Sequence, residues 1–190
     1  MERTDIELME ASKRGDARSF DELVSRYIDR IYGFALRFSG SADIATDAAQ
    51  ETFIKVWKNR KRYRAGRNVS PWIFTIARNA TLDVLRKRKD LSFSSVQLKD
   101  AEDMAEALPD ESVDIPASFD WAVLARVLDE TLEELTPDQR AIVILHDKEG
   151  MTFDEAGEAI GKPLNTVKSH YRRAIIALRN KLEDRGYRGP

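Results

Sequence analysis

The sequence predicts an all-α fold of two small helical domains joined by a flexible acidic linker, and three observations predict it. Apolar residues recur at spacings of three and four through residues 20–38 and again through 121–135, the signature of one buried helix face. Helix-start signals stand at Ser19 with Glu22, at Pro71, at Thr136-Pro137 and at Thr152 with Glu155. Charge is segregated in a chain whose total is only −2: residues 58–90 carry +9, residues 91–120 and 121–160 each carry −7, and residues 161–190 carry +6. The expected boundaries are 1–90 for the first domain, 91–118 for the linker and 119–190 for the second.

The elements follow in order. Ile6, Leu8, Met9 and Ala11 suit a short helix over 5–14, which Gly15-Asp16 interrupts. Ser19 and Glu22 form a capping-box pattern, and Phe20, Leu23, Tyr27, Ile31, Phe34 and Phe38 line the helix behind it. Ser39-Gly40-Ser41 ends that helix. A third helix runs from Ala42-Asp43 to about Asn59, with acids at its start and lysines at its end as the helix dipole favours. Ile44, Ala45, Ala48, Ala49, Phe53, Ile54, Val56 and Trp57 are its apolar members. After a basic loop, Arg60–Ser70, Pro71 takes the favoured first position of a fourth helix that continues to about Lys89. Residues 90–118 lack periodicity and are rich in Ser, Pro and acids, which reads as a linker. Helix resumes near 118–120, with Trp121, Leu124, Val127, Leu128, Thr131, Leu132 and Leu135 on one face. Thr136 caps the next helix, which holds Ala141–Leu145 and closes at Gly150.

Composition removes whole classes of function. The 190 residues include 0 cysteines and 2 histidines, which excludes disulfides, thiol nucleophiles, thiol redox sensing and Cys- or His-rich metal centres; no metal ligand set, no cofactor and no catalytic residue is expected. Apolar runs such as Ala141–Leu145 fall far short of the roughly 20 residues of a membrane span. The charged start, Met1–Asp5, has no apolar stretch behind it and does not read as a secretory signal, so a cytoplasmic location without membrane insertion is expected.

Residues 152–182 carry the most specific local pattern. A capped helix, the turn Gly161-Lys162-Pro163 and a second helix with Lys168, Arg172, Arg173 and Arg179 make a helix-turn-helix suited to a DNA major groove. Ala156 and Gly157 permit close helix crossing, and Val167, Tyr171, Ala174, Ile175 and Leu178 form the inner face. A plain helical hairpin with a cationic surface is the alternative for this segment, and solvated helix faces are the alternative for the basic blocks.

Four stretches, in order, resemble a bacterial RNA polymerase sigma factor of the extracytoplasmic-function (ECF) group. Residues 43–57 (DIATDAAQETFIKVW) resemble the helix that grips the polymerase clamp, and residues 71–89 (PWIFTIARNATLDVLRKRK) resemble the helix that opens and reads the minus-ten element. Residues 132–147, around Leu135–Arg140, resemble the entry to the C-terminal domain, and residues 152–182 resemble its minus-thirty-five reader.

The resemblance implies core RNA polymerase and promoter DNA as partners, together with an anti-sigma factor. It implies that Asp47, Gln50 and Glu51 face the polymerase clamp. Arg60, Lys61, Arg62, Arg64 and Arg67 would track the promoter backbone, with Tyr63, Trp72 and Phe74 offering aromatic surface to unstacked bases. The loop Arg64–Ser70, including Asn68, together with Asn79 would hold a flipped base, and Arg78 and Arg86 complete the minus-ten set. Trp72 is equally well read as core, and Phe53 and Trp57 as core rather than contact. Thr166, Lys168, Ser169, His170, Arg172 and Arg173 would meet the minus-thirty-five element. Lys87, Arg88 and Lys89 suit nonspecific phosphate contacts.

Two departures from the family pattern stand out. Ala48-Ala49 replaces a frequent Leu-Val, trimming apolar volume beside the clamp helix. His170-Tyr171 and Ala174-Ile175 leave the reading helix one cation short. Three rival classes stay open on the residues alone: a DNA-binding regulator without polymerase, which leaves residues 43–57 unexplained; a nucleic-acid enzyme, for which no phosphate loop, zinc motif or nucleophile–histidine pair is present; and a helical adaptor.

Overall fold

The computed structural model describes residues 3–94, 130–132 and 134–184. These residues form helices and turns, with no strand among them. The helices are α1 (Asp5–Lys13), α2 (Ala17–Ser39), α3 (Ala42–Asn59), α4 (Val69–Ser94), α5 (Pro137–Val143), α6 (Phe153–Ile160) and α7 (Leu164–Asp184). A 3-10 turn covers Arg60–Arg62, and a π-helical turn, Ile144–Lys148, follows α5. The expected linker beyond Ser94 and the helix carrying Trp121, Leu124, Val127 and Leu128 lie outside the described residues; α4 itself runs past the expected linker start at residue 91.

Local chemistry explains most boundaries. Thr4 and Glu7 form a reciprocal capping box at α1. Helix α2 begins earlier than the Ser19–Glu22 pattern predicts. Asp16 is its cap and accepts from the Arg18 and Ser19 amides, while Ser19 is fully buried and donates to the Asp16 carboxylate at 2.6 Å. A carboxylate three residues upstream outcompetes the serine as acceptor, and Glu22 turns instead to Arg3 and Arg26. Gly40 ends α2 in the left-handed conformation at φ 71. Pro71 also sits deeper than predicted, because Asn68 receives the Ser70 amide at 3.1 Å and starts α4 at Val69. Thr136–Gln139 and Thr152–Glu155 are both complete capping boxes, as their spacing predicts.

Helices α1–α4 enclose a core of large side chains, with Leu8, Met9, Leu23, Tyr27, Ile31, Phe34, Ile73 and Phe74 essentially inaccessible. Phe34 stacks on Phe38 at 5.6 Å and meets the edge of Phe74 at 5.5 Å. Ala48-Ala49 does not leave a hole. Ala35, Ala45 and Ala48 are fully buried in a cluster with Tyr32, Leu36 and Val84, so small side chains here mean closer helix approach.

The second unit buries Ile142, Ile144, Leu145, Ile160 and Val167 alongside a set of small residues. Ala141, Ala156, Ala159 and Ala174 are buried, and Leu132, Leu135, Val143 and Leu178 close its far side. A Cβ on Gly157 would lie 2.8 Å from the Lys162 carbonyl oxygen, so only glycine lets α6 pass under the turn. The π-helical turn carries His146 over Phe153, ring centroids 4.1 Å apart, with the Tyr171 ring edge 5.0 Å away. The two units share one continuous buried cluster: α6 packs along α4, and α2 packs against α5 and the π-helical turn.

Candidate nucleic-acid interface

The basic loop after α3 is held open by its own aromatic anchor. Tyr63 is buried, its ring meets Trp72 edge-on at 5.5 Å, and its hydroxyl donates to the Arg67 carbonyl. Burial, chiefly, pushes its phenol above the ordinary range. Lys13 adds a 2.8 Å bond to the Tyr63 carbonyl. Tyr63 and Phe74 are therefore not free to stack on bases, contrary to the sequence expectation, because the loop needs one ring and the core the other. Trp72 is half-buried. Arg60 also departs from expectation: its guanidinium lies 3.8 Å from the Trp57 ring centroid and donates to the Ser12 and Trp57 carbonyls, so it pins the loop's start to α1 and α3.

Most of the remaining polar and basic residues of this set face outward. Lys61, Arg62, Arg64, Arg67, Asn68, Asn79 and Arg86 are exposed, on the loop and on α4. Three of the minus-ten residues reach the second unit. Arg67 pairs with Glu158 at 2.8 Å, Asn68 donates to Glu155 at 2.6 Å, and Arg78, only 15% exposed, pairs with Asp138. The Arg78 Nε is buried with no hydrogen-bond partner among the described residues.

On α7, Lys168, Arg172 and Arg173 are exposed, with Thr166 and Ser169 half-buried between them. Ser169 returns its hydroxyl to the Thr166 carbonyl at 2.8 Å. His170 is half-buried and its Nδ1 is inaccessible, so it presents less of its ring outward than the sequence suggests. Tyr171 binds Asp147 at 2.8 Å, and burial followed by that bond raises its phenol to about 12. Helix α7 is thereby fixed to the π-helical turn while its cationic side stays in solvent.

A separate open groove of about 420 Å³ runs between α3 and α4, lined by Asp47, Gln50, Glu51, Ile54, Lys55 and residues of α4. Asp47 and Gln50 are exposed, Asp47 pairs with Arg88 at 3.2 Å, and Lys55 bridges Glu51 and Asp83. Arg88 is thus tied to α3 rather than left for phosphate. Ile54 is 46% exposed in this groove. Residue type alone groups it with the apolar members of α3; the signal that separates it is phase, since Phe53 and Val56 already occupy the inward positions on either side.

Comparison with known proteins assigns both units. The sigma-70 region 2 family matches residues 23–90, and the sigma-70 region 4 family matches residues 125–178. The chain is 34% identical over 171 residues to the ECF RNA polymerase sigma factor SigE of Mycolicibacterium smegmatis, a match covering 86% of this chain and 62% of that longer protein. It is 32% identical to the RNA polymerase sigma factor CarQ of Myxococcus xanthus, covering 92% of this chain and 95% of that one. Among solved structures, the sigma factor RpoE of Bartonella quintana, crystallised with the anti-sigma factor NepR, superposes with a TM-score of 0.68 at 28% identity, covering 87% of this chain and 98% of that one. CnrH, solved with the cytosolic domain of CnrY, shares the fold with a TM-score of 0.70 at 23% identity over 95% of this chain and 97% of that one. With regions 2 and 4 matched in order and a relative spanned almost end to end, the chain belongs to the ECF group of RNA polymerase sigma factors.

Proposed function

We propose that residues 1–90 and 119–190 work as two promoter readers carried by core RNA polymerase. The supporting observation is that one chain holds two outward-facing basic surfaces, on the α3–α4 loop and on α7, each inside a matched sigma region. The groove around Asp47, Gln50, Glu51 and exposed Ile54 is the polymerase-binding surface, combining an apolar contact with carboxylates for basic clamp residues. Lys61, Arg62, Arg64, Arg67, Asn68, Arg78, Asn79 and Arg86 serve the minus-ten element. Thr166, Lys168, Ser169, Arg172 and Arg173 serve the minus-thirty-five element, with His170 at the groove edge. Capture of unstacked bases offsets the cost of melting, while bond formation belongs to the polymerase, in the cell interior. An anti-sigma factor is the natural inhibitor, given that RpoE of Bartonella quintana was crystallised with one.

Size-exclusion co-elution with core polymerase, against a DNA-only control, tests the partnership; retained DNA binding without co-elution refutes it. In the holoenzyme, Asn79→Ala should impair promoter opening more than duplex binding. Arg173→Ala should cost roughly 1–3 kcal/mol at the minus-thirty-five element. An unchanged promoter profile for Arg173→Ala removes that residue from the reading set.

A further inference from the structure

We propose that the turn between α1 and α2 is a further phosphate-binding site, where Arg14 and Arg18 hold the promoter strand as it runs on from the α3–α4 loop. The proposal rests on the reading of that loop as the minus-ten surface. Two hydrogen bonds join turn and loop into one face: Lys13 donates to the Tyr63 carbonyl at 2.8 Å, and Arg60 donates to the Ser12 carbonyl at 3.1 Å. Ser12 and Tyr63 are both buried, so each bond ends on an anchored residue. Arg14 and Arg18 follow closely along the chain and are exposed, as are Lys61 and Arg62 on the loop. The basic surface of the loop thus extends onto the adjoining ends of α1 and α2.

Folding alone does not account for this charge. Residues 1–57 sum to −3, yet Lys13, Arg14 and Arg18 crowd one turn in which Asp16 is the only acid. Asp16 commits its carboxylate to the Arg18 and Ser19 amides and to the Ser19 hydroxyl. Glu22, one turn beyond Arg18, is held by Arg3 and Arg26. Among the described residues neither Arg14 nor Arg18 pairs with a carboxylate. Arg14 caps the end of α1, where the helix dipole favours a cation. Arg18 stands in the first turn of α2, where the dipole opposes one. An exposed, unpaired cation at the positive end of a helix gives up stability and raises the local potential for an anion. Phosphate is the fitting anion, because a guanidinium takes two of its oxygens at once and the neighbouring loop already faces nucleic acid. Such a site reads no base; it lengthens the grip on the strand and steepens its salt dependence.

The test uses holoenzyme, reconstituted from the full chain and core polymerase, and a promoter that it selects from a random DNA pool. Fluorescence anisotropy compares three fluorescein-labelled single-stranded probes of the non-template strand. One is confined to the minus-ten element, and the other two extend beyond it on one side each. The readout is the gain in affinity on extension, taken as a ratio to the short probe. The parent should show a gain on one side. Arg14→Gln with Arg18→Gln should remove it, a loss of about tenfold near 0.1 M salt, and should lower the salt slope by ~1.4 for two lost contacts. Arg14→Lys with Arg18→Lys keeps the charge and should keep the gain. The charge-matched control, Lys148→Gln with Lys181→Gln on the second unit, should keep it too. A gain that persists in the glutamine pair overturns the proposal. So does a gain lost equally in the control, which points to bulk charge, or in the lysine pair, which points to altered folding. Arg64→Gln, on the loop, separates the two readings. If it leaves the short probe unaffected, the minus-ten reading fails and the proposal with it. A weakened short probe beside an undiminished gain in the glutamine pair overturns the proposal alone.

Discussion

The two helical units solve the same packing problem with different balances of material: the first relies on aromatic rings, the second on one close crossing at a glycine. Around α1–α4 the interior is filled mainly by Tyr27, Phe34, Phe74, Leu8, Met9 and Ile31, while Ala35, Ala45 and Ala48 draw α2 and α3 together at one side. Around α5–α7, Ile142, Leu145 and Ile160 are buried beside Ala141, Ala156, Ala159 and Ala174, and Gly157 passes so close to the turn that a Cβ would lie 2.8 Å from the Lys162 carbonyl oxygen. A core of large side chains loses stability when atoms are removed, whereas a close crossing loses it when atoms are added. The difference fits the proposed tasks. The first unit must keep a loop of five arginines and lysines (Arg60, Lys61, Arg62, Arg64, Arg67) from collapsing, and the second must hold one helix rigidly at a groove.

The contrast can be broken by experiment. The largest effect should come from Phe34→Ala, which empties the stacked site between Phe38 and Phe74. It should lower stability by about 3–5 kcal/mol in urea unfolding, with hydrogen exchange rising first in α2–α4. Gly157→Ala adds one carbon against the Lys162 carbonyl and should cost about 1–3 kcal/mol, with α6 and α7 losing protection first. If the two substitutions loosen the same helices equally, the units do not differ in the way described. The smallest effect concerns acid. Glu155 has its carboxyl held below the ordinary carboxylate range, first by the Thr152 backbone amide and further by the Thr152 hydroxyl and Asn68. Its folded pKa is depressed, so its contribution is complete above the unfolded value and is lost as pH falls through the folded one. Stability measured from about pH 5 downward should therefore decline less steeply in Glu155→Gln than in the parent.

Where the sequence was legible, a short-range interaction decided the outcome. Thr136 with Gln139, Thr152 with Glu155 and Gly161 at the end of α6 each act within four residues, so residue type and spacing suffice. Ser19 failed because two short-range acceptors compete, and the ionised Asp16 wins. Pro71 failed for a similar reason, since Asn68, three residues before the proline, offers a cap that starts the helix at Val69. Tyr63 and Arg60 were misplaced because their partners lie elsewhere in the fold: Trp72 beyond the loop, and the Ser12 carbonyl 48 positions away. Of the candidate site, the exposed cations of the loop and α7 follow from charge alone, and exposed Ile54 required the helix phase. The links from Arg67, Asn68 and Arg78 to the second unit join residues 60 to 91 positions apart, and no local pattern encodes them.

The π-helical turn at Ile144–Lys148 has a consequence for how this chain tolerates insertions and deletions. Such a turn holds one more residue than an α-helical turn over the same rise, in effect an insertion absorbed within a helix. Here the extra residue brings His146 over Phe153, lets its Nδ1 meet the Met151 carbonyl at 2.7 Å, and sets Asp147 against the Tyr171 hydroxyl. Deleting one residue would restore regular winding and rotate everything before the cut by ~100° relative to α6 and α7. All three contacts would be lost together. A single-residue deletion scan should therefore find an intolerant window inside this helix, at a position where substitutions to other polar residues are accepted.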